Sequence, residues 1–229
     1  MNNIMAEIAH IRTDFPTKFG IPRQSGLVES LKGTIVFAPE YRDPNALRGL
    51  EGYSHIWLIW KFSGAERETW SPTVKPPRLG GNRRMGVFAT RSPFRPNPIG
   101  LSCVRLEGVE YDTPEGAVLH VAGADLMDGT PIYDIKPYLP YADCRPEATD
   151  GFAGEVFDYA VEVDFPPQLL EKIPQDKREG LIEVLKQDPR PGYRHADDGR
   201  RFGVDFAGFD VRFTVQDGVL HVCEIVRKV

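Results

Sequence analysis

Cys103, Cys144 and Cys223 are the only cysteines in 229 residues, too few and too scattered for a disulfide framework, and with no C-x-x-C among them they suggest no zinc site. The five histidines fall into no H-x-x-x-H or other ligand spacing, so no metal is expected. Long apolar runs are missing too: Ile56–Trp60, the longest, is far short of a bilayer span. The opening stretch MNNIMAEIAHIRTDF mixes acids and bases and has no apolar core, which predicts a cytoplasmic protein without membrane association. There is no G-x-x-x-x-G-K-[ST], no G-x-G-x-x-G after a strand and no G-x-S-x-G, so the common nucleotide loops and acyl transfer through serine have no support. Crossover helices long enough to link parallel strands are absent as well, which argues against a Rossmann layout.

Acidic residues are missing from one long window. Thr69–Arg105 holds seven basic residues (Lys75, Arg78, Arg83, Arg84, Arg91, Arg95, Arg105) and no Asp or Glu, whereas Leu106–Ile135 holds seven acids and no Lys or Arg. A net charge of −5 therefore hides one strongly positive face and does not exclude an RNA partner. Within the window, Pro93, Pro96 and Pro98 each remove a backbone donor and fix φ, so no helix can run through RSPFRPNPIG. Gly80, Gly81, Gly86 and Gly100 allow tight turns or a close approach to a ligand. The pattern predicts a short strand over Met85–Ala89 entering a stiff loop that presents Arg91 and Arg95 in defined directions. Guanidinium groups held this way suit a carboxylate or a phosphate.

The rest of the chain reads as short strands separated by turns. Strands are predicted at Glu7–Arg12, Gly33–Phe37, Ile99–Glu110, Ala117–Ala122 and Ile132–Ile135, and a helical turn around Asn45–Leu50. His55–Phe62, HIWLIWKF, is apolar at almost every position and predicts a strand buried on both faces. The implied fold class is mainly β, with an antiparallel β-barrel over residues 1–145. Small, polar and Pro/Gly residues at Cys144–Gly154 mark a boundary, and residues 146–229 read as a small α+β domain. It holds a strand at Val156–Phe165 and a helix at Gln175–Gln187, with Leu181, Ile182 and Leu185 on one face and Pro189 as its stop. A final hairpin has its first arm alternating at Phe209, Val211, Phe213 and Val215 and turns at Asp217–Gly218.

Four loops lie at the ends of consecutive predicted strands and could converge: Pro22–Gln24, Ser63–Gly64, Arg91–Leu101 and Asp128–Pro131. In the small domain, DPRPGYR pairs prolines with Arg190 and Arg194 and adds Tyr193, a combination that can hold a phosphate and stack on a base. The segments IPRQSGL, RGLEGYSHIWLIWKF, PTVKPPRLGGNRRMGVFATRSPFRPNPIGLS, DLMDGTPIYDIKPYLPYA and QDPRPGYR resemble the TsaA-like family, in particular its tRNA methyltransferases. The match covers almost the whole chain, and RSPFRPNPIG and DGTPIYDIKPY are highly specific to the family.

That resemblance implies an S-adenosylmethionine-dependent enzyme with its cofactor on a β-barrel, acting as a homodimer on tRNA that carries threonylcarbamoyladenosine beside the anticodon, a threonine-type tRNA in the first instance. It implies cofactor-binding positions at Pro22, Arg23, Gln24, Ser63, Gly64, Arg91, Leu101, Asp128, Gly129, Thr130 and Pro131. Ser63–Gly64 departs from the His-Gln or His-Asn pair common in relatives, so the family's side-chain contacts do not carry over there, while backbone contacts could. The nucleophilic nitrogen of such a base must lose a proton, and Asp134 is the expected proton acceptor, with Asp128 the alternative if its carboxylate is not committed to the cofactor; Tyr133 and Tyr138 could position the base by stacking. Arg91 would meet the carboxylate of the cofactor or of the substrate, and Arg83, Arg84 and Arg95 the tRNA phosphates. Two rival readings are a non-catalytic module that senses S-adenosylmethionine and binds RNA, and a methyltransferase for a small molecule; two separated arginine clusters speak against the second.

Overall fold

The computed structural model describes residues 5–64, 69–76, 83–156, 160–190 and 199–228. In chain order these residues form β1 (Ala9–Arg12), β2 (Lys32–Phe37), β3 (His55–Lys61), β4 (Thr73–Val74), β5 (Met85–Gly86), β6 (Ile99–Glu110), β7 (Val118–Ala122), β8 (Thr130–Pro137), α1 (Pro140–Asp143), β9 (Glu162–Asp164), α2 (Pro167–Leu170), α3 (Gln175–Lys186), β10 (Phe202–Phe206), β11 (Phe209–Gln216) and β12 (Val219–Arg227). Strands β1, β2, β7, β6, β3 and β8 close, in that order, into a barrel in which every pairing is antiparallel. A second sheet, β10-β11-β12-β9, carries the hairpin expected at the C-terminus and adds β9 parallel to β12. Its turn at Asp217–Gly218 has φ of 51° and 79°, the left-handed pair that a two-residue hairpin needs.

Strand β6 is long because it serves two neighbours. Ile99–Arg105 pairs with β3 and Arg105–Glu110 with β7, and the register shifts between Leu106 and Gly108 as the strand rounds the barrel. The segment from Ile99 to Cys103 thus has no β7 residue beside it, and the loop after Pro22 takes that place: the Cys103 N–H donates to Ser25 Oγ at 3.1 Å. This local departure from the ladder opens the barrel wall where the site lies.

Three local expectations need correction. The run His55–Phe62 is not buried on both faces: Ile56, Leu58 and Trp60 point into the barrel, while Trp57, Ile59 and Lys61 are half-buried on its outer wall. A closed barrel has one interior, so alternate members of an apolar run must face outward. The strand expected at Met85–Ala89 stops at Gly86, and Val87–Ala89 winds into a 3-10 turn anchored by buried Val87, whose N–H donates to Pro72 O at 2.9 Å. Of Val156–Phe165, only Glu162–Asp164 is strand; Gly151–Val156 is a 3-10 turn.

The two sheets have separate cores, but the chain does not divide cleanly between them. Phe15, Val28 and Leu31, from the stretch between β1 and β2, are buried in the core of the second sheet with Leu181, Val184 and Phe206. Phe15 meets Phe206 edge to face at 5.3 Å. Burying each such side chain stabilises by about 1.5–3 kcal/mol. Lys177 of α3 reaches Asp14 at 2.7 Å, which fixes the helix against the same stretch. The seam between barrel and small domain is therefore well packed, and the cavity described next opens beside it.

Candidate active site

The cavity holds about 980 Å³ and is walled by the loop 18–24, the end of β3 with Phe62–Gly64, the loop and strand Thr90–Leu101, Asp125–Thr130, and the end of α3 through Arg190. Its size is that of a site for a ligand as large as a nucleoside cofactor. Both domains contribute, so the site exists only when they are docked.

Local hydrogen bonds make the arginine loop stiff. Thr90 Oγ1 donates to Val87 O at 2.9 Å and accepts from the Ser92 N–H, and Ser92 Oγ accepts from the Phe94 N–H. Arg95 Nη1 donates to Thr90 O at 3.0 Å, and Phe62 N–H to Pro98 O at 2.9 Å, closing the loop against the end of β3. Within this frame Arg91 is exposed and donates to Gln24 Oε1 across the cavity mouth. Two of the expected loops thus meet through side chains. Arg95 is partly buried; its guanidinium spans its own loop, and the residue lines the cavity.

A polar chain runs through the wall. The indole N–H of buried Trp60 donates to Ser102 Oγ at 2.9 Å, and Ser102, fully buried, donates to Asp125 Oδ1 at 2.6 Å. Gly100 makes the arrangement possible, since a Cβ there would fall inside the Trp60 ring. Burial pushes the Asp125 carboxyl above its ordinary value, and the Ser102 hydroxyl and the positive charge of Arg91 oppose that shift. Asp125 and Ser102 are absent from the expected site. Their signal is long-range, a Ser and an Asp on different elements joined through a tryptophan, and no local motif expresses it.

The expected positions divide as follows. Pro22, Arg23, Gln24, Ser63, Gly64, Arg91, Leu101 and Thr130 line the cavity. Asp128, Gly129 and Pro131 do not: Asp128 Oδ1 accepts the Thr13 N–H at 3.0 Å, the Gly129 N–H donates to Ile11 O at 2.8 Å with φ at 74°, and Pro131 sits opposite His10 in the β1–β8 ladder. An Asp-Gly turn spends its polar groups on shaping the chain, and here it closes the barrel. Asp134 also lies elsewhere. It stands on the outer wall opposite Ile59, paired with Lys136 at 2.9 Å. Neither expected proton acceptor faces the cavity.

Of the RNA-contact expectations, Arg83 and Arg84 are exposed, and Arg84 donates to Thr73 Oγ1 at 2.9 Å on the β4–β5 hairpin. Beside them Trp70 and Phe88, 51% and 74% exposed, stack at 6.2 Å. Arg190 is corrected. It is 3% exposed and locked in a two-pronged pair with Asp188, both contacts at 2.8 Å, so it forms the cavity wall and offers no free phosphate site. Tyr193 and Arg194 lie outside the described residues. Among the described residues no group of three or more His, Cys, Asp or Glu could hold a metal, and no helix is long and apolar enough to cross a membrane.

On the outer wall, Ile99 and Leu101 are exposed in register with Lys61 and Ile59, and Trp57 packs on Tyr138 at 5.8 Å. With half-buried Ile59 they form an apolar strip that reaches the cavity mouth, where Ile99 and Leu101 also line the cavity.

Comparison with known proteins places these features in context. The tRNA-methyltransferase O N-terminal domain model matches residues 10–144, and the TrmO C-terminal domain model residues 158–228. An Escherichia coli tRNA (adenine(37)-N6)-methyltransferase is 43% identical over 223 residues, covering 94% of each chain. A putative S-adenosylmethionine-dependent methyltransferase of Pseudomonas aeruginosa, RcsF, is 41% identical over 220 residues and 93% of each chain. The crystal structure of TrmO from Pseudomonas aeruginosa superposes with a TM-score of 0.79 at 36% identity, over 99% of this chain and 98% of that one.

Proposed function

This chain belongs to the TrmO family, and on that premise we propose that it is an S-adenosylmethionine-dependent methyltransferase acting on N6 of the adenine at position 37 of tRNA. The observation that carries the proposal is the cavity itself: an apolar wall around Trp60, Phe62, Leu101 and Met127, a guanidinium at its mouth and two carboxylates in its lining, Asp188 paired with Arg190 and Asp125 held by Ser102. These residues fit the cofactor. The apolar wall suits an adenine ring, and Arg91 suits the amino-acid carboxylate. When bound, S-adenosylmethionine supplies an electrophilic methyl group. The protein's part is to hold the incoming nitrogen in line with it, and a loop pinned by its own hydrogen bonds is built to do so. Pro22, Arg23, Gln24, Ser63, Gly64, Leu101 and Thr130 would share the cofactor contact with Arg91, while Asp128, Gly129 and Pro131 would shape the turn beneath it.

The substrate base we propose is threonylcarbamoyladenosine, first of all in a threonine-type tRNA. Its threonyl carboxylate calls for a second positive group, and Arg95 lines the same cavity as Arg91. The β4–β5 hairpin would dock the RNA, with Arg83 and Arg84 on phosphates and the Trp70–Phe88 pair as a stacking surface for an unpaired base. A homodimer formed through the outer wall at Ile59 and Ile99 would run up to the cavity mouth, where Ile99 and Leu101 also line the cavity, and the expected compartment is the cytoplasm, where tRNA is found. In sedimentation, charged substitution at Ile99 should yield monomers.

The test is methyl incorporation from labelled S-adenosylmethionine into tRNA from cells with and without the threonylcarbamoyl group. Incorporation into the modified tRNA alone is the expected result. Equal incorporation into both would overturn the choice of base, and tRNA binding without any transfer would favour a non-catalytic S-adenosylmethionine-sensing module.

A further inference from the structure

The geometry points to Asp125 as the group that accepts the proton of the substrate nitrogen during methyl transfer, an assignment that rests on the function proposed above. N6 of an acylated adenine has its lone pair drawn into both the ring and the carbonyl, so it attacks well only as its proton leaves. Asp128, which accepts the Thr13 N–H, and Asp134, paired with Lys136 on the outer wall, both lie outside the cavity lining, and Asp188 within it holds the Arg190 guanidinium in a two-pronged pair. Asp125 lines the cavity with Trp60, Leu101 and Met127.

The chain behind Asp125 can be wired in one direction only. An indole nitrogen donates and cannot accept, so Ser102 must accept from Trp60, and its own hydrogen goes to Asp125 Oδ1. This arrangement orients the carboxylate through a third group, as bases are oriented in other catalytic constellations. The transfer balances without any further reactant. The N6–H bond breaks and its proton passes to the Asp125 carboxylate, the nitrogen pair forms the bond to the methyl carbon, and the carbon–sulfur bond breaks with its pair remaining on sulfur. A sulfonium and a carboxylate become a neutral thioether and a carboxylic acid. Burial favours that outcome, because it raises the affinity of Asp125 for a proton.

The charged groups around Asp125 act the other way. Arg91 is its direct electrostatic neighbour, and Lys18, Arg23, Lys61, Arg95 and the Asp188–Arg190 pair line the same cavity. Activity should rise with pH as Asp125 ionises. Ser102→Ala removes a hydrogen bond that favours the ionised form, so the acid limb of the rate profile should move to higher pH.

The experiment pairs rates with binding. Asp125→Asn keeps the shape and an oxygen to accept from Ser102, and should lower the single-turnover rate by about 10²–10⁴-fold, the range of general-base catalysis. Calorimetric affinity for S-adenosylhomocysteine should stay within about threefold of wild type. Loss of that affinity in parallel with the rate would make Asp125 a cofactor ligand and overturn the proposal, as would a wild-type rate in Asp125→Asn. If that variant fails to fold, Ser102→Ala decides: an unmoved acid limb, and an unmoved Asp125 carboxyl resonance on NMR titration of the free protein, also overturn it. A wild-type enzyme that transfers no methyl group to any tRNA would instead sink the function on which the assignment rests, and the NMR titration separates that failure from this one.

Discussion

Gly100 shows how closely the site is built. Its missing side chain is replaced by the Trp60 ring, so Gly100→Ala forces the indole away from Ser102. Overpacking of this kind costs about 1–3 kcal/mol, and thermal denaturation should show it as a lowered midpoint. Asp125 carries the opposite lesson. Its folded-state pKa lies above the unfolded one, so between the two values the folded protein binds the proton more readily. The stability this group allows is therefore full below the ordinary carboxylate range and is lost as pH rises through the raised value. Asp125→Asn should melt at or above the wild-type temperature at neutral pH, and the two curves should converge in acid. A variant that is inactive yet no less stable is the pattern expected where burial of a charge serves chemistry. Residues of this kind were not legible in the chain. DGTP draws attention as a motif, but its Asp128 serves the turn, and Asp125 in the cavity lining lies three positions earlier, marked only by its contact with Ser102, which in turn holds Trp60.

At the scale of elements, most of the architecture could be read from pattern. The β6 bounds, the alternation of β11 and the helix stopped by Pro189 all follow from local chemistry. β3 could not, because an apolar run does not say whether both faces or one will be covered. The β4–β5 hairpin makes a separable prediction. Replacing Arg83 and Arg84 with glutamine should leave cofactor affinity unchanged and flatten the salt dependence of tRNA binding by about one unit of log–log slope for each lost phosphate contact. An unchanged slope would remove the hairpin from the RNA interface. The buried pair after α3 predicts a different effect. Arg190→Ala removes both side-chain contacts to the buried Asp188 carboxylate and should lower the thermal midpoint, with weakened cofactor binding because the wall is shared.

For the whole molecule, the central point is that the barrel does not complete its own site. Phe15, Val28 and Leu31 sit in the core of the small domain, and the end of α3 walls the cavity. A chain cut after residue 145 would expose those side chains and open the site, and it should be recovered poorly and bind cofactor weakly. The composition shift at Cys144–Gly154 suggests where a boundary falls; it gives no sign that residues between β1 and β2 belong to the other core, because their apolar character is the same in either. The three tryptophans provide the most direct check, since Trp60 lies in the cavity wall, Trp57 on the outer wall with its N–H on Asp143, and Trp70 at the basic hairpin. Titrating S-adenosylmethionine into ¹⁵N-labelled protein should shift the Trp60 indole N–H resonance saturably while Trp70 stays in place until tRNA is added; saturable binding that moves Trp57 or Trp70 and leaves Trp60 untouched would contradict the assignment of this cavity as the site of methyl transfer.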